Sequence, residues 1–386
     1  MRGTGGVLPL DLTDEFPGLG SGVYLNTAAE GLYMRSHAAA LQQYAELKQI
    51  GARGREGFYA VERRTRELAA KMLGVGPGNI AFLASTARGL DAAIKSIDWR
   101  AGDNIVLPDS EFPTTAFAAV YLSRIGVEHR IVPSQSGRIG LDELVRRVDH
   151  RTRMVTVSLV SYKTGHKIDL PAWSEIAHAN GALLFVDAVQ ALGAMEVDAA
   201  SADFMCAASY KWLLGQHGLS IFFVNPHLSA SVTPPYAAFR GVKDPFALDR
   251  FDRYELLPDA RRFEEGMPNF PGIFVLANAL EFLLSIGLNQ IAEHNIALAT
   301  RLLAGLIEAG VDPLTPLDPQ ARAAIVSFES SHAEEIALTL ARRGVHVWGR
   351  DGRVRMSPHL YNTESDIDAL LGALADFGQC AKLRSH

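Results

Sequence analysis

Between residues 80 and 224 the chain alternates short apolar runs with segments of helical spacing, joined by short connections. The runs are IAFLA (80–84), NIVLPD (104–109), 127–132, MVTVSLV (154–160), a run ending at Asp187, 204–208 and SIFFV (220–224). This alternation predicts a doubly wound, mainly parallel sheet with helices on both faces, the last run returning antiparallel. Open parallel sheets bind ligands at the carboxyl ends of their strands. The residues just past each run are therefore the candidate site.

The stretch 181–214, GALLFVDAVQALGAMEVDAASADFMCAASYKWLL, places an acid, Asp187, at the end of one run. It places a lysine, Lys211, shortly past the next. A carboxylate and an amine converging on one crevice suit pyridoxal phosphate, whose aldehyde takes the lysine as a Schiff base while the acid keeps the pyridine nitrogen protonated. Acids and lysines also end strands for no chemical reason, so the pattern gains weight only from its neighbours.

Those neighbours each have two readings. Ser85 and Thr86 open a helix directly after the first run; such a terminus binds phosphate, or it is an ordinary N-cap. Phe112 lies past the second run, placed to stack on a flat ring or to cover the sheet edge. Gln190, three residues after the acid, either bonds a ring hydroxyl or fills a turn. The spacing over 36–73 is helical with a break at GARGREG (51–57), read as a solvated interruption ahead of an active-site loop. His217, Tyr236, His346, Trp348 and His359 stand in loops that border the crevice, and each has a structural reading as well.

At 386 residues with 48% hydrophobic and 21% charged content, the chain has the make-up of an ordinary globular enzyme of two domains. A net charge of -6 with mixed signs gives no attraction to nucleic acid. No apolar run approaches the ~20 residues of a membrane span, and the first residues lack the pattern of a secretory signal, so a cytoplasmic location is expected. Two cysteines, Cys206 and Cys380, cannot make a disulfide framework or a four-thiolate zinc site. The expected division is a lead-in over 1–20, a large domain over 21–260 and a small α+β domain over 261–386.

Taken in order, these motifs resemble the aminotransferase class V group of fold type I pyridoxal phosphate enzymes, over most of the chain from Val23 to Phe377. The group includes kynureninases, cysteine desulfurases, selenocysteine lyases and isopenicillin N epimerase-like proteins. The resemblance implies a large domain with a mainly parallel seven-stranded sheet plus a small α+β domain. It implies that Lys211 in SYKWLLG is the Schiff-base lysine and that Asp187 in LLFVDAVQ faces the pyridine nitrogen. Gln190 matches the glutamine near the ring oxygen, and Ser85, Thr86 and Tyr210 match phosphate-binding positions. Phe112 in EFPTT is similar to the kynureninase phenylalanine that stacks on the cofactor, and SYKTG (161–165) also looks like kynureninase. Arg355 in RMSPHLYNT aligns with the arginine that holds a substrate α-carboxylate, a task suited to its planar fork. FEEGMPNF (263–270) resembles the segment that reaches a neighbouring subunit's site, which implies a homodimer with shared active sites.

The departures narrow the reaction. VHVWGRDGRVRM (345–356) has no cysteine where desulfurases carry their nucleophile, and a thiolate is needed to accept sulfur. GMPNF replaces the desulfurase GTPNT, and Gln190 replaces a histidine typical of kynureninases. The expected function is therefore a lyase acting on a small α-amino acid through an external aldimine, by β-elimination or kynureninase-like cleavage. A class V aminotransferase or amino-acid epimerase is the alternative, and a non-catalytic pyridoxal-phosphate-binding regulator the second.

Overall fold

The computed structural model describes residues 8, 11–135, 137–230 and 232–378; Cys380 lies outside them. Twelve strands among these residues are β1 (Val23–Tyr24), β2 (Ile80–Leu83), β3 (Asn104–Pro108), β4 (Glu128–Val132), β5 (Thr152–Ser158), β6 (Leu183–Asp187), β7 (Phe204–Ala208), β8 (Ser220–Val224), β9 (Val326–Glu329), β10 (Val345–His346), β11 (Trp348–Arg350) and β12 (Arg353–Met356). The α-helices are α1 (His37–Gln49), α2 (Arg55–Leu73), α3 (Thr86–Lys95), α4 (Pro113–Leu122), α5 (Leu141–Arg147), α6 (Leu170–Ala179), α7 (Phe270–Ile286), α8 (Leu288–Glu308), α9 (Ala333–Arg342) and α10 (Glu364–Gly378).

The main sheet has seven strands in the order β2-β8-β7-β6-β5-β3-β4. Strands β3 to β7 run parallel, and β8 is antiparallel to both β7 and β2. This is the mainly parallel sheet expected from the alternating runs. Its strands are apolar throughout because helices cover both faces. Alternate residues divide between two cores: Leu184, Val186 and Met205 pack with Trp173 and Leu280, while Phe185, Phe204 and Cys206 pack with Leu90, Ile94 and Leu122. Helix α3 seats closely on β7 because Gly89 has no side chain; a Cβ there would lie 2.6 Å from Cys206 Sγ.

A third core joins Leu25, Leu298, Leu302, Phe328, Ile336, Val354 and Leu370 around the small antiparallel sheet β11-β12-β9. Helix α7 buries its residues with the large sheet, whereas α8 contributes to both cores, passing to the third at Leu298. The chain's early segment returns to this small unit, since β1 pairs in parallel with β10. The break at 51–57 is a short 3-10 turn over Gly51–Gly54, and α2 already resumes at Arg55. No single described helix is long and apolar enough to cross a membrane.

Candidate functional site

A cavity opens at the carboxyl ends of the central strands, where Ser158 and Asp187 sit side by side at the ends of β5 and β6. It is lined by Ser85, Thr86, Phe112, Ser158, Tyr162, Asp187, Gln190, Tyr210 and Lys211, among others. Seven of the eight residues singled out from the sequence thus line one space. The eighth, Arg355, adjoins it: its Nη1 donates to the carbonyl of Tyr162 at 3.1 Å.

Lys211 and Asp187 are both buried. Burial pushes Asp187 up to about 6, against the pull of the Val189 N–H and of Lys211. Val189 donates to Asp187 Oδ1 at 2.9 Å, which fixes the carboxylate at the strand end. Burial, then the nearby Arg355 cation, brings Lys211 down to about 8, with Asp187 and Glu30 opposing. The amine is therefore far readier to be neutral at physiological pH than an exposed lysine. Its Nζ lies 5.8 Å from the ring centroid of Phe112 and 5.6 Å from that of Tyr210.

The remaining residues divide according to how far their polar atoms are already committed. Ser85 is the N-cap of α3, its hydroxyl accepting from Arg88 N–H at 3.2 Å. Thr86 Oγ1 is buried with no nitrogen or oxygen partner, and the Cys206 thiol is the polar group beside it. Gln190 donates from Nε2 to the carbonyl of Ala28 at 3.0 Å and accepts at Oε1 from Trp212 Nε1 at 2.7 Å. That leaves one Nε2 hydrogen for a ligand. Phe112 is 42% exposed, with Tyr162 meeting it edge-on at 5.3 Å. Tyr210 stacks on His217 at 4.3 Å, and His217 pairs with Glu30 at 3.2 Å. Of the other loop residues, His359 is buried against Trp212 and binds its carbonyl at 3.2 Å, a packing role.

Two acids escape a sequence reading. Glu111 is buried beside Phe112 and accepts at Oε1 from Ser158 N–H at 2.6 Å and at Oε2 from Ser158 Oγ at 2.8 Å. Burial, with Asp187 adding to it, pushes Glu111 up to about 7. Glu30 stands on the segment whose Gly31 N–H donates to the carbonyl of Tyr210 at 2.9 Å. The only signal for Glu111 was its place next to a singled-out aromatic; for Glu30, the small residues around it.

The region that would carry a desulfurase's cysteine is the hairpin β11–β12, turned by Asp351 and Gly352, both at positive φ. Cys206, the one cysteine among the described residues, is buried in β7, and burial pushes its thiol up to about 12. It does not line the cavity.

The sequence profile of the family Aminotransferase class-V matches residues 23–370. The chain is 26% identical over 371 residues to an uncharacterized aminotransferase, YcbU, of Bacillus subtilis (strain 168), covering 95% of this chain and 98% of that protein. It is 27% identical over 390 residues to a probable cysteine desulfurase of Methanothermobacter thermautotrophicus, covering 93% and 96%. The apo cysteine desulfurase of Thermococcus onnurineus NA1 superposes with a TM-score of 0.88 at 23% identity, covering 97% of this chain and 99% of that one. The cystine C–S lyase C-DES, solved with its product cysteine persulfide, does so with a TM-score of 0.85 at 22% identity, covering 94% and 99%. The structural likenesses establish the fold, and the profile match, spanning nearly the whole chain, establishes that this is an enzyme of the aminotransferase class-V family of pyridoxal-phosphate-dependent proteins.

Proposed function

We propose that the chain is a pyridoxal-phosphate-dependent lyase that acts on a small α-amino acid, releasing a group from Cβ by elimination or kynureninase-like cleavage. The observation that carries the cofactor half is the convergence of Lys211, Asp187 and the Thr86 hydroxyl in one cavity at the strand ends. These residues fit the cofactor: an amine for its aldehyde, an acid for its ring nitrogen, and a hydroxyl with no nitrogen or oxygen partner at a helix start for its phosphate. Phe112 and Gln190 complete the ring's surroundings, with Tyr210 and Ser85 at the phosphate.

When bound, the cofactor supplies an electron sink for the carbanion left at Cα. The chain's own groups do the rest. Arg355 grips the substrate carboxylate, and its buried Nε, which has no partner in the protein, is a free donor for that purpose. Lys211, lowered by burial, takes the α-proton at Nζ as general base. Asp187 holds the proton on the ring nitrogen. The lyase half is supported by the lining: among the described residues no cysteine lines the cavity, and sulfur transfer needs a protein thiolate to receive the sulfur. A leaving group therefore departs into solution. The exposed apolar segment between Tyr236 and Met267 supports assembly as a homodimer.

Borohydride reduction followed by peptide mass analysis is the direct test. A reduced cofactor adduct on Lys211, absent from Lys211→Ala, is the expected result; its absence with added cofactor would sink the cofactor reading. An amino-acid panel including L-cysteine, L-kynurenine, cysteine sulfinate and both alanine enantiomers then separates the reactions. Release of pyruvate with ammonia, or of alanine, from an amino acid other than alanine upholds the lyase, whereas transfer of the amino group to an added keto acid without fragmentation replaces it with an aminotransferase.

A further inference from the structure

The wall formed by Tyr162 carries more positive charge than a single carboxylate requires. Arg353 and Arg355 are two apart on β12, so both side chains leave the same face of the small sheet. Arg355 donates to the Tyr162 carbonyl, and its guanidinium lies 5.1 Å from the Trp348 ring centroid. Arg353 places its guanidinium 5.6 Å from the centroid of the Tyr162 ring, and Lys163 Nζ lies 6.0 Å from the same ring. Tyr162 is itself part of the cavity wall.

The arginines are poorly compensated. The Arg353 side chain is only 11% exposed, yet its one ion-pair partner among the described residues is Asp351 at 3.6 Å, whose side chain is 69% exposed. Arg355 is buried with a carbonyl partner and an orphaned Nε. Holding two guanidiniums together out of water is costly unless an anion joins them. One α-carboxylate satisfies Arg355 and leaves Arg353 with only the exposed Asp351 as its anion.

We propose that Arg353 is a specificity-determining residue that, beside Arg355, selects amino acids whose side chain carries a second anionic group. Arg355 takes the α-carboxylate, and Arg353, backed by the Tyr162 ring, takes the side-chain acid. This inference rests on the cofactor reading above. The test therefore starts from unreduced holoenzyme of which a separate portion has given the Lys211 adduct on borohydride reduction, so a missing adduct counts against the cofactor and not against Arg353.

Spectral titration of the holoenzyme then compares L-aspartate with L-asparagine and L-glutamate with L-glutamine, pairs that differ only in charge. The wild type is expected to bind the acid of at least one pair about tenfold or more tightly than its amide, the scale of a hydrogen-bonded charge. In Arg353→Gln that ratio falls about tenfold while a separate portion still gives the Lys211 adduct on reduction; in Arg355→Gln both members of each pair weaken alike. Equal binding of acid and amide by the wild type, or a ratio unmoved in Arg353→Gln, overturns the proposal. Should Arg353→Gln fail to fold, succinate and propionate are compared as competitors of the wild type. Succinate must compete about tenfold better, and parity overturns the proposal.

Discussion

At the scale of single residues, the buried acids behind the site make a measurable claim about pH. Glu111 is held near 7 in the folded protein against 4.5 ordinarily, mainly because it is buried. Between these values the unfolded chain releases a proton that the folded chain keeps, so rising pH favours unfolding. This contribution is fully present below the ordinary carboxylate range and is lost as pH rises through about 7. Asp187, raised from 3.8 to about 6, pulls the same way over a lower window. Denaturant titrations of the cofactor-free protein are thus expected to show stability falling from about pH 4.5 to 7, with a clearly smaller fall in Glu111→Gln. An identical fall in both proteins would mean that Glu111 ionises freely. Lys211 and Asp187 were legible in the sequence because strand-ending charged residues stand out against apolar runs. Glu111 was not, since one glutamate in a loop gives no period, and only tertiary contact with Ser158 buries it.

At the scale of elements, the site depends on one loop lying flat on another. The segment around Gly31 rests on the lysine-bearing loop: a Cβ at Gly31 would sit 2.2 Å from the Lys211 carbonyl oxygen. Backbone cannot yield there as a side-chain tip can, so Gly31→Ala is expected to cost about 1–3 kcal/mol and to reduce borohydride trapping on Lys211. Gly372→Ala is the control, on the exposed side of α10 with nothing within 4 Å of the added atom. It should gain up to about 1 kcal/mol by helix propensity and leave trapping unchanged. Equal melting and equal trapping for Gly31→Ala would show that the two loops separate easily. The seven strands of the large sheet were readable because both faces are covered and the runs are continuous. The small unit was less so: the stretch 345–350 divides at Val347 into β10, paired with β1, and β11, paired with β12. Such a switch of partners is set by long-range pairing and leaves no mark in local hydropathy.

At the scale of the whole molecule, the least compensated surface is the segment that links the large sheet to α7. Its loop is closed by a bridge between Val242 and Leu256 and tied to the core through Arg240, which pairs with Glu62 and Glu264. Glu62 and Glu264 also clasp Arg66, so the loop's base is anchored by a buried network. Its tip nonetheless presents Phe246, Leu248 at 96% exposure, Phe251 at 85% and Tyr254. Large apolar side chains gathered on one exposed loop mark an interaction surface, and this loop is the surface on which the proposed homodimer is tested. Sedimentation of the wild type is expected to give twice the 41.8 kDa chain mass. The double substitution Leu248→Asp, Phe251→Asp should shift the protein to monomer, because buried unpaired carboxylates are costly at an interface. If the segment also completes the neighbouring site, the same variant will retain less cofactor on Lys211 at equal total protein. A monomeric wild type would remove the dimer from the proposal, and a dimer indifferent to both aspartates would move its interface to another face.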